Sequence, residues 1–130
     1  SRKGSAMNIL ISASMKVYPQ LIDLKNRLEK LGYAVELPDE GSGETGSDFK
    51  RRMIDDHLSK LRRADVLLLA NIGRRIGAST FFEAGWAFAL GKPIYVLEEM
   101  DDSSDFAEDL RAIGVVELRG DLGAVKEVGL

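Results

Sequence analysis

Short apolar runs alternate along this chain with segments whose apolar residues recur at helical spacing. The first run, MNILIS at 7–12, is rich in isoleucine and leucine, and DVLLLAN at 65–71 has the same character. Continuous apolar runs of this length are typical of strands that are buried on both faces of a sheet. The pattern therefore predicts strands at 7–12, 33–38, 65–71, 93–99 and 115–120.

The segments between these runs have the pattern of helices. In 18–32 the leucines recur every three or four residues, and Gly32 supplies a stop signal. The segment ASTFFEAGWAFALGKP at 78–93 is apolar or small almost throughout, and its helix is expected to end at Gly91, before Pro93. Further helices are predicted at 48–63 and 103–114, with polar loops at 39–47 and 72–79.

Strands and helices that alternate in this way indicate an α/β fold. We predict a single Rossmann-like (flavodoxin-like) domain, in which a five-stranded parallel sheet of order 2-1-3-4-5 has helices on both faces. Ligands of such sheets bind beyond the carboxyl ends of the strands, where the strand order reverses. In this chain that point lies between the first and third strands, next to the loop SASMK at 12–16 and the loop that leads to Glu83.

Composition narrows the class of protein. The chain has 130 residues, a net charge of -3 and no cysteine, which disfavours a nucleic-acid partner and excludes disulfides and thiol chemistry. No apolar run has the length of a membrane span, and no group of residues has the spacing of a metal site. We expect a cytoplasmic protein without cofactor or metal, with one domain over 7–130 and an expression-tag remnant at 1–6.

Glu83 is the one charged residue of the apolar segment 81–90. A buried carboxylate without a partner is costly. In one interpretation Thr80 and Glu83 form a capping box, with Glu83 reaching back to the backbone at the start of the helix. In the other, the helix dipole keeps a first-turn carboxylate ionised among aromatic neighbours, where it is suited to act as a nucleophile. The pattern alone leaves both interpretations open.

His57 is the only histidine of the chain. It lies four residues from both Met53 and Leu61, on or beside the apolar stripe of its predicted helix. It is therefore either a histidine at the edge of the core or an acid–base residue near the carboxyl ends of the strands. Asp56 is a further candidate for the same site, although a solvated position suits it better.

Two loops carry weaker signals. The segment GSGETG at 41–46 matches the glycine pattern of dinucleotide-binding turns. It follows the second predicted strand after a spacer, and Glu44 would repel a pyrophosphate, so we expect a plain loop or a mobile lid. Arg74 and Arg75 precede a helix N-terminus, where they either attract a phosphate or are simply solvated.

Three segments together resemble the nucleoside 2-deoxyribosyltransferase superfamily, which includes hydrolases that split deoxynucleoside 5′-monophosphates. They are the first strand running into SASMK, the junction DHLSKLRRADVLLLAN, and GASTFFEAGWAFALGKPI. The resemblance covers 7–100, and its most specific part is the glutamate at the start of a small-residue helix that ends in ALGKPI. It implies a Rossmann-like fold and a homo-oligomer, a dimer or larger.

The resemblance also implies roles for single residues. Glu83 matches the glutamate that attacks the anomeric carbon of the sugar. Ser14 and Lys16 stand where the hydrolases bind phosphate through Ser-x-Arg, and a lysine holds phosphate only as a point charge. His57 replaces a family aspartate, and Leu10 stands in place of a tyrosine or similar polar group.

The sequence thus predicts an N-glycosidase or N-deoxyribosyltransferase that acts on a (deoxy)nucleoside or nucleoside 5′-monophosphate. Glu83 and His57 are the expected catalytic residues, with His57 as proton donor or base. The alternative is a non-catalytic nucleotide-binding or sensor module of the same fold; a weaker one is a structural domain. The predicted substrate-binding residues are Ser12, Ser14, Lys16, Asn71, Arg75 and Ser79.

Overall fold

The computed structural model describes residues 6–39 and 43–125. The predicted tag remnant at 1–6 lies, apart from Ala6, outside the described residues. Residues 41 and 42 of the glycine-rich segment 41–46 lie outside them too. Of the helices that are described, none combines the length and the apolarity that crossing a membrane requires.

The strands form one parallel five-stranded sheet of order β2-β1-β3-β4-β5. This confirms the predicted fold class and strand order. The continuous apolar runs account for it, since both faces of the sheet are covered. The strands are β1 (Asn8–Ser12), β2 (Ala34–Glu36), β3 (Val66–Leu69), β4 (Ile94–Val96) and β5 (Val116–Glu117).

Four α-helices connect the strands of the described chain. The first ends at the predicted stop, because Gly32 adopts a φ of +97°, a backbone conformation that glycine takes at little cost. Short 3-10 turns at Met15–Val17 and Ile72–Arg74 follow the carboxyl ends of β1 and β3. The helices are α1 (Tyr18–Lys30), α2 (Ser47–Arg63), α3 (Ala78–Ala89) and α4 (Ala107–Ala112).

The two faces of β1 belong to different cores, because side chains alternate along a strand. Ile9 and Ile11 pack with the leucines of α1. Leu10 faces the other way, into a core that contains Leu61 of α2 and Ala84 of α3. Helices α2 and α3 therefore cover the same face of the sheet, and this arrangement brings their side chains together above β1.

Candidate functional site

The site lies where β1 and β3 end side by side. Ser12 closes β1 and pairs in register with Leu69 at the end of β3. After β1 the chain enters a loop that begins at Ala13, and after β3 it enters the Ile72–Arg74 turn. These are the carboxyl ends of neighbouring parallel strands, which is the predicted place for a ligand.

Helix α3 begins earlier than the capping-box interpretation requires. Its N-cap is Gly77, which makes no side-chain capping hydrogen bond, and its first turn holds no acidic residue. Thr80 lies inside the helix and is buried, and Glu83 falls in the second turn. The capping-box interpretation is therefore wrong. The expected first-turn position of Glu83 is wrong as well, so the helix dipole acts on it more weakly than assumed, since that effect fades beyond the first turn.

The carboxylate of Glu83 meets two side chains from other elements. The hydroxyl of Ser12 donates a hydrogen bond to Oε1 of Glu83. Nε2 of His57 lies 3.2 Å from the same Oε1 atom. The side chains of His57 and Glu83 are 8% and 18% exposed, so both are largely removed from water. The fold thus brings the predicted residues Ser12, His57 and Glu83 into one cluster.

The imidazole of His57 has an unused polar atom. Its Nε2 is buried and has no hydrogen-bond partner among the described residues, because the approach to Glu83 lacks hydrogen-bond alignment. A buried polar atom without a partner costs about 1–3 kcal/mol. Such atoms are rare in folded proteins and need an explanation. A ligand that supplies the missing partner is one such explanation.

His57 and Glu83 open into a cavity of about 350 Å³, which we call the Glu83 cavity. Its walls are largely apolar or aromatic, and Ser79 adds a hydroxyl at its edge. Its aromatic residues, whose rings can stack against a planar ligand, are Phe49, Phe82 and Trp86. No signal in the sequence marked Phe49 as a wall residue, because helical periodicity does not distinguish a packed face from a cavity wall.

A second cavity of about 520 Å³ lies on the other side of the β1 loop, and we call it the basic cavity. Lys16 and Arg75 line it, and neither side chain forms a hydrogen bond or ion pair with the described residues. Ser14 also lines it. Ala13 borders both cavities, so the two cavities adjoin at the loop after β1.

Arg74 also lines the basic cavity, but its guanidinium is already engaged. Its Nε and Nη2 atoms donate to the carbonyl oxygens of Glu99 and Met100, each at 3.1 Å. Asp101 stands nearby, and Ser103 donates to it from its hydroxyl and its backbone N–H. These hydrogen bonds hold the pKa of the Asp101 carboxyl below its usual value, helped by the charge of Arg74. The net attraction of the basic cavity for anions therefore depends on Lys16 and Arg75.

Asn71 and Asp56 lie outside the cluster of Ser12, His57 and Glu83. The buried side chain of Asn71 bonds to the backbone of Glu98, accepting from its N–H at 2.7 Å and donating to its carbonyl at 3.2 Å. It lines neither of the two cavities. Asp56 borders the Glu83 cavity, but it is 44% exposed and pairs with Lys60 at 3.0 Å. Within the described ranges, no group of three or more His, Cys, Asp or Glu residues is placed to hold a metal ion.

Comparisons with known proteins bear on the family and the fold of the chain. The family model described as nucleoside 2-deoxyribosyltransferase matches residues 13–127. A comparison with curated protein sequences gives no match. Two solved structures share the fold. A 2-deoxyribosyltransferase from the psychrotolerant bacterium Bacillus psychrosaccharolyticus is 19% identical, with a TM-score of 0.55 over 68% of this chain and 70% of that one.

The other is a conserved protein from Enterococcus faecalis V583, which is 20% identical. Its TM-score is 0.56, over 82% of this chain and 72% of that one. At these identities the structural likeness supports the fold. The match to the family model extends over most of the chain and carries the assignment. The chain therefore belongs to the nucleoside 2-deoxyribosyltransferase family.

Proposed function

We propose that this protein cleaves or transfers the N-glycosidic bond of a (deoxy)nucleoside or nucleoside 5′-monophosphate, with Glu83 as nucleophile. The observation that carries the proposal is the carboxylate of Glu83, which Ser12 holds and the unpartnered Nε2 of His57 approaches at the wall of a cavity. Family membership supports glycosyl transfer or cleavage in general. The position of these residues supports the finer assignment.

The proposed reaction has two steps. A carboxylate oxygen of Glu83 attacks C1′ of the sugar, the bond from C1′ to the base nitrogen breaks, and its electron pair leaves with the base. This gives a glycosyl ester on Glu83, as in retaining glycosidases. Water or a second base then attacks C1′ from the opposite side, and the electron pair of the ester bond returns to the carboxylate. With water the protein is a hydrolase, and with a second base it is a transferase.

His57 is the proposed proton carrier. A protonated Nε2 gives its proton to the departing base, and the neutral imidazole accepts a proton from the incoming water or base. Its unsatisfied Nε2 lies 3.2 Å from Oε1 of Glu83, and both residues line the Glu83 cavity. Histidine suits this work because it gains and loses a proton near neutral pH.

The two cavities divide the substrate between them. The Glu83 cavity, with Phe49 and Trp86 in its walls, suits the base and sugar, because ligand sites are mostly apolar with a few polar groups that fix orientation. The basic cavity, with Ser14, Lys16 and Arg75, suits a 5′-phosphate. Ser79 stands at the edge of the Glu83 cavity, within the α3 turn that precedes Glu83.

The test is base release from a panel of nucleosides and their 5′-monophosphates, measured by chromatography for the wild type and Glu83→Gln. The amide is nearly isosteric with the carboxylate but a poor nucleophile, so base release should fall about 10³-fold or more. Glu108→Gln, an exposed position on α4, is the matched control and should keep full activity. Intact mass after an acid quench should show a sugar adduct in the wild type and none in Glu83→Gln.

Two results would contradict the proposal. Equal turnover by Glu83→Gln and wild type would exclude Glu83 as nucleophile. A wild type that binds nucleotides saturably but releases no base would support the alternative, a non-catalytic nucleotide-binding or sensor module.

A further inference from the structure

We infer that Ser12 is the positioning residue of the nucleophile. Its hydroxyl holds Oε1 of Glu83 and so leaves Oε2 to attack the sugar. The sequence pattern had placed Ser12 among the substrate-binding residues, but the structure directs its hydroxyl to Glu83. The inference rests on the proposed function, in which Ser12 has no other role.

The strand fixes the direction of the Ser12 side chain. Side chains alternate along β1, so Ser12 shares a face with Leu10, the face that α2 and α3 cover. Ser12 is fully buried, and its carbonyl accepts a backbone hydrogen bond of 2.9 Å from Ala70. Its backbone is therefore held by β3, and the hydroxyl is presented from a rigid element rather than from a loop. Groups on rigid elements position a reacting atom more precisely than groups on loops.

A serine at this place needs a reason. A hydroxyl buried without a hydrogen bond is costly, and the three positions directly before Ser12 on β1 are filled by aliphatic residues that pack without that cost. The hydrogen bond to Glu83 joins residues that are 71 positions apart in sequence. An ionised carboxylate only accepts hydrogen bonds, so the proton of this bond belongs to Ser12. The hydroxyl therefore fixes the orientation of the Glu83 carboxylate through Oε1.

The two contacts of Glu83 distinguish its two oxygens. Ser12 and His57 both approach Oε1, whereas Oε2 has no hydrogen bond within the described part of the chain. In the first step Oε2 forms the bond to C1′, and Oε1 becomes the carbonyl oxygen of the ester. In the second step the C1′–Oε2 bond breaks and negative charge returns to the carboxylate, where the Ser12 hydroxyl stabilises it. Ser12 therefore acts through Glu83 on both steps, and a positioning group of this kind affects turnover more than binding.

The test compares three substitutions of Ser12 in the base-release assay. Ser12→Ala removes the donor, Ser12→Cys keeps the shape but offers only a weak donor, and Ser12→Thr restores a hydroxyl. We expect kcat to fall about 10²-fold in Ser12→Ala with little change in KM, less in Ser12→Cys, and to recover in Ser12→Thr. Ser59→Ala, at an exposed position on α2, is the matched control and should match the wild type.

Thermal unfolding of each variant separates positioning from stability. If the role of Ser12 were purely structural, Ser12→Cys would have a normal melting temperature and a normal kcat. This result would overturn the inference. Unchanged kcat in a folded Ser12→Ala would overturn it too, while base release by the wild type would leave the proposed function standing. A wild type without any base release would overturn both together.

Discussion

Nε2 of His57 and Oε1 of Glu83 lie 3.2 Å apart without forming a hydrogen bond. The two residues come from α2 and α3, which lie over the same face of the sheet. Their proximity becomes an ion pair only when the imidazole is protonated. Nε2 of His57 therefore has no hydrogen-bond partner among the described residues, and in the proposed reaction it would be available to carry a proton for the base.

Replacing His57 by asparagine should separate proton transfer from packing. Asparagine retains hydrogen-bonding atoms but neither gains nor releases a proton at working pH, so kcat should fall about 10²- to 10⁴-fold. The pH–rate profile of His57→Asn should also lose one ionisation that the wild type shows. An unchanged profile would return His57 to a structural role and make Asp56 the next proton donor to replace.

Removing the two free cations of the basic cavity should weaken the binding of monophosphates only. In Lys16→Ala and Arg75→Ala, the KM for a nucleoside 5′-monophosphate should rise about tenfold or more, because each charge-assisted hydrogen bond contributes about 1.5–3 kcal/mol. The KM for the matching free nucleoside should stay near the wild-type value. Lys30→Ala, at the exposed end of α1, serves as control. Equal changes in KM for both substrates would show that the basic cavity does not bind the phosphate.

Asn71 should matter for stability. Its side chain satisfies both the N–H and the carbonyl of Glu98, and it is 1% exposed. Asn71→Ala leaves these two backbone groups without their partner, so the free energy of unfolding should fall by about 1–3 kcal/mol in urea titrations. Asn71→Asp should be destabilising too, since a carboxylate faces the Glu98 carbonyl. Normal stability of Asn71→Ala together with a raised KM would instead show that Asn71 contacts the substrate, as predicted from the sequence.

Tyr33 should make stability fall at high pH. Burial raises the pKa of its phenol, and Tyr95 raises it further. The hydroxyl donates to the carbonyl of Val125 at 2.9 Å. A folded-state pKa above the unfolded value contributes stability below the usual tyrosine range, and this contribution is lost as pH rises through the raised pKa. We expect urea unfolding at about pH 8 and about pH 11 to show that the free energy of unfolding falls less between the two pH values for Tyr33→Phe than for the wild type.

The variant also has an effect at neutral pH. Tyr33→Phe lacks the hydroxyl that donates to Val125, so its unfolding free energy at about pH 8 should be lower by about 1 kcal/mol. An identical fall in stability between the two pH values for both proteins would show that Tyr33 does not contribute to the alkaline loss.

The strands were predictable because a parallel sheet buries both faces, and such burial leaves continuous apolar runs in the sequence. The last strand is the weakest case. The run at 115–120 predicted a longer element than the strand Val116–Glu117, although the N–H of Leu118 still donates to the carbonyl of Val96 in β4. It is an edge strand, so only one neighbour holds its backbone, and half-exposed Val116 gains little from burial.

The start of α3 was not predictable from the local pattern. Thr80 and Glu83 have the spacing of a capping box, but that spacing equally places two residues on one side of a helix already under way. The real N-cap is Gly77, which leaves no side-chain signal. The role of Ser12 was hidden for another reason: its partner is distant in sequence, and no local pattern records a contact of that kind.

The cluster of Ser12, His57 and Glu83 draws one side chain from each of β1, α2 and α3. None of these segments contains two of its members, so no single one of the three segments can supply the cluster. Base release, the proposed activity, should therefore require the β1–α2–α3 assembly to be intact. In a denaturant titration, activity and the global unfolding signal should disappear together, which would make the assay a measure of the correctly folded population.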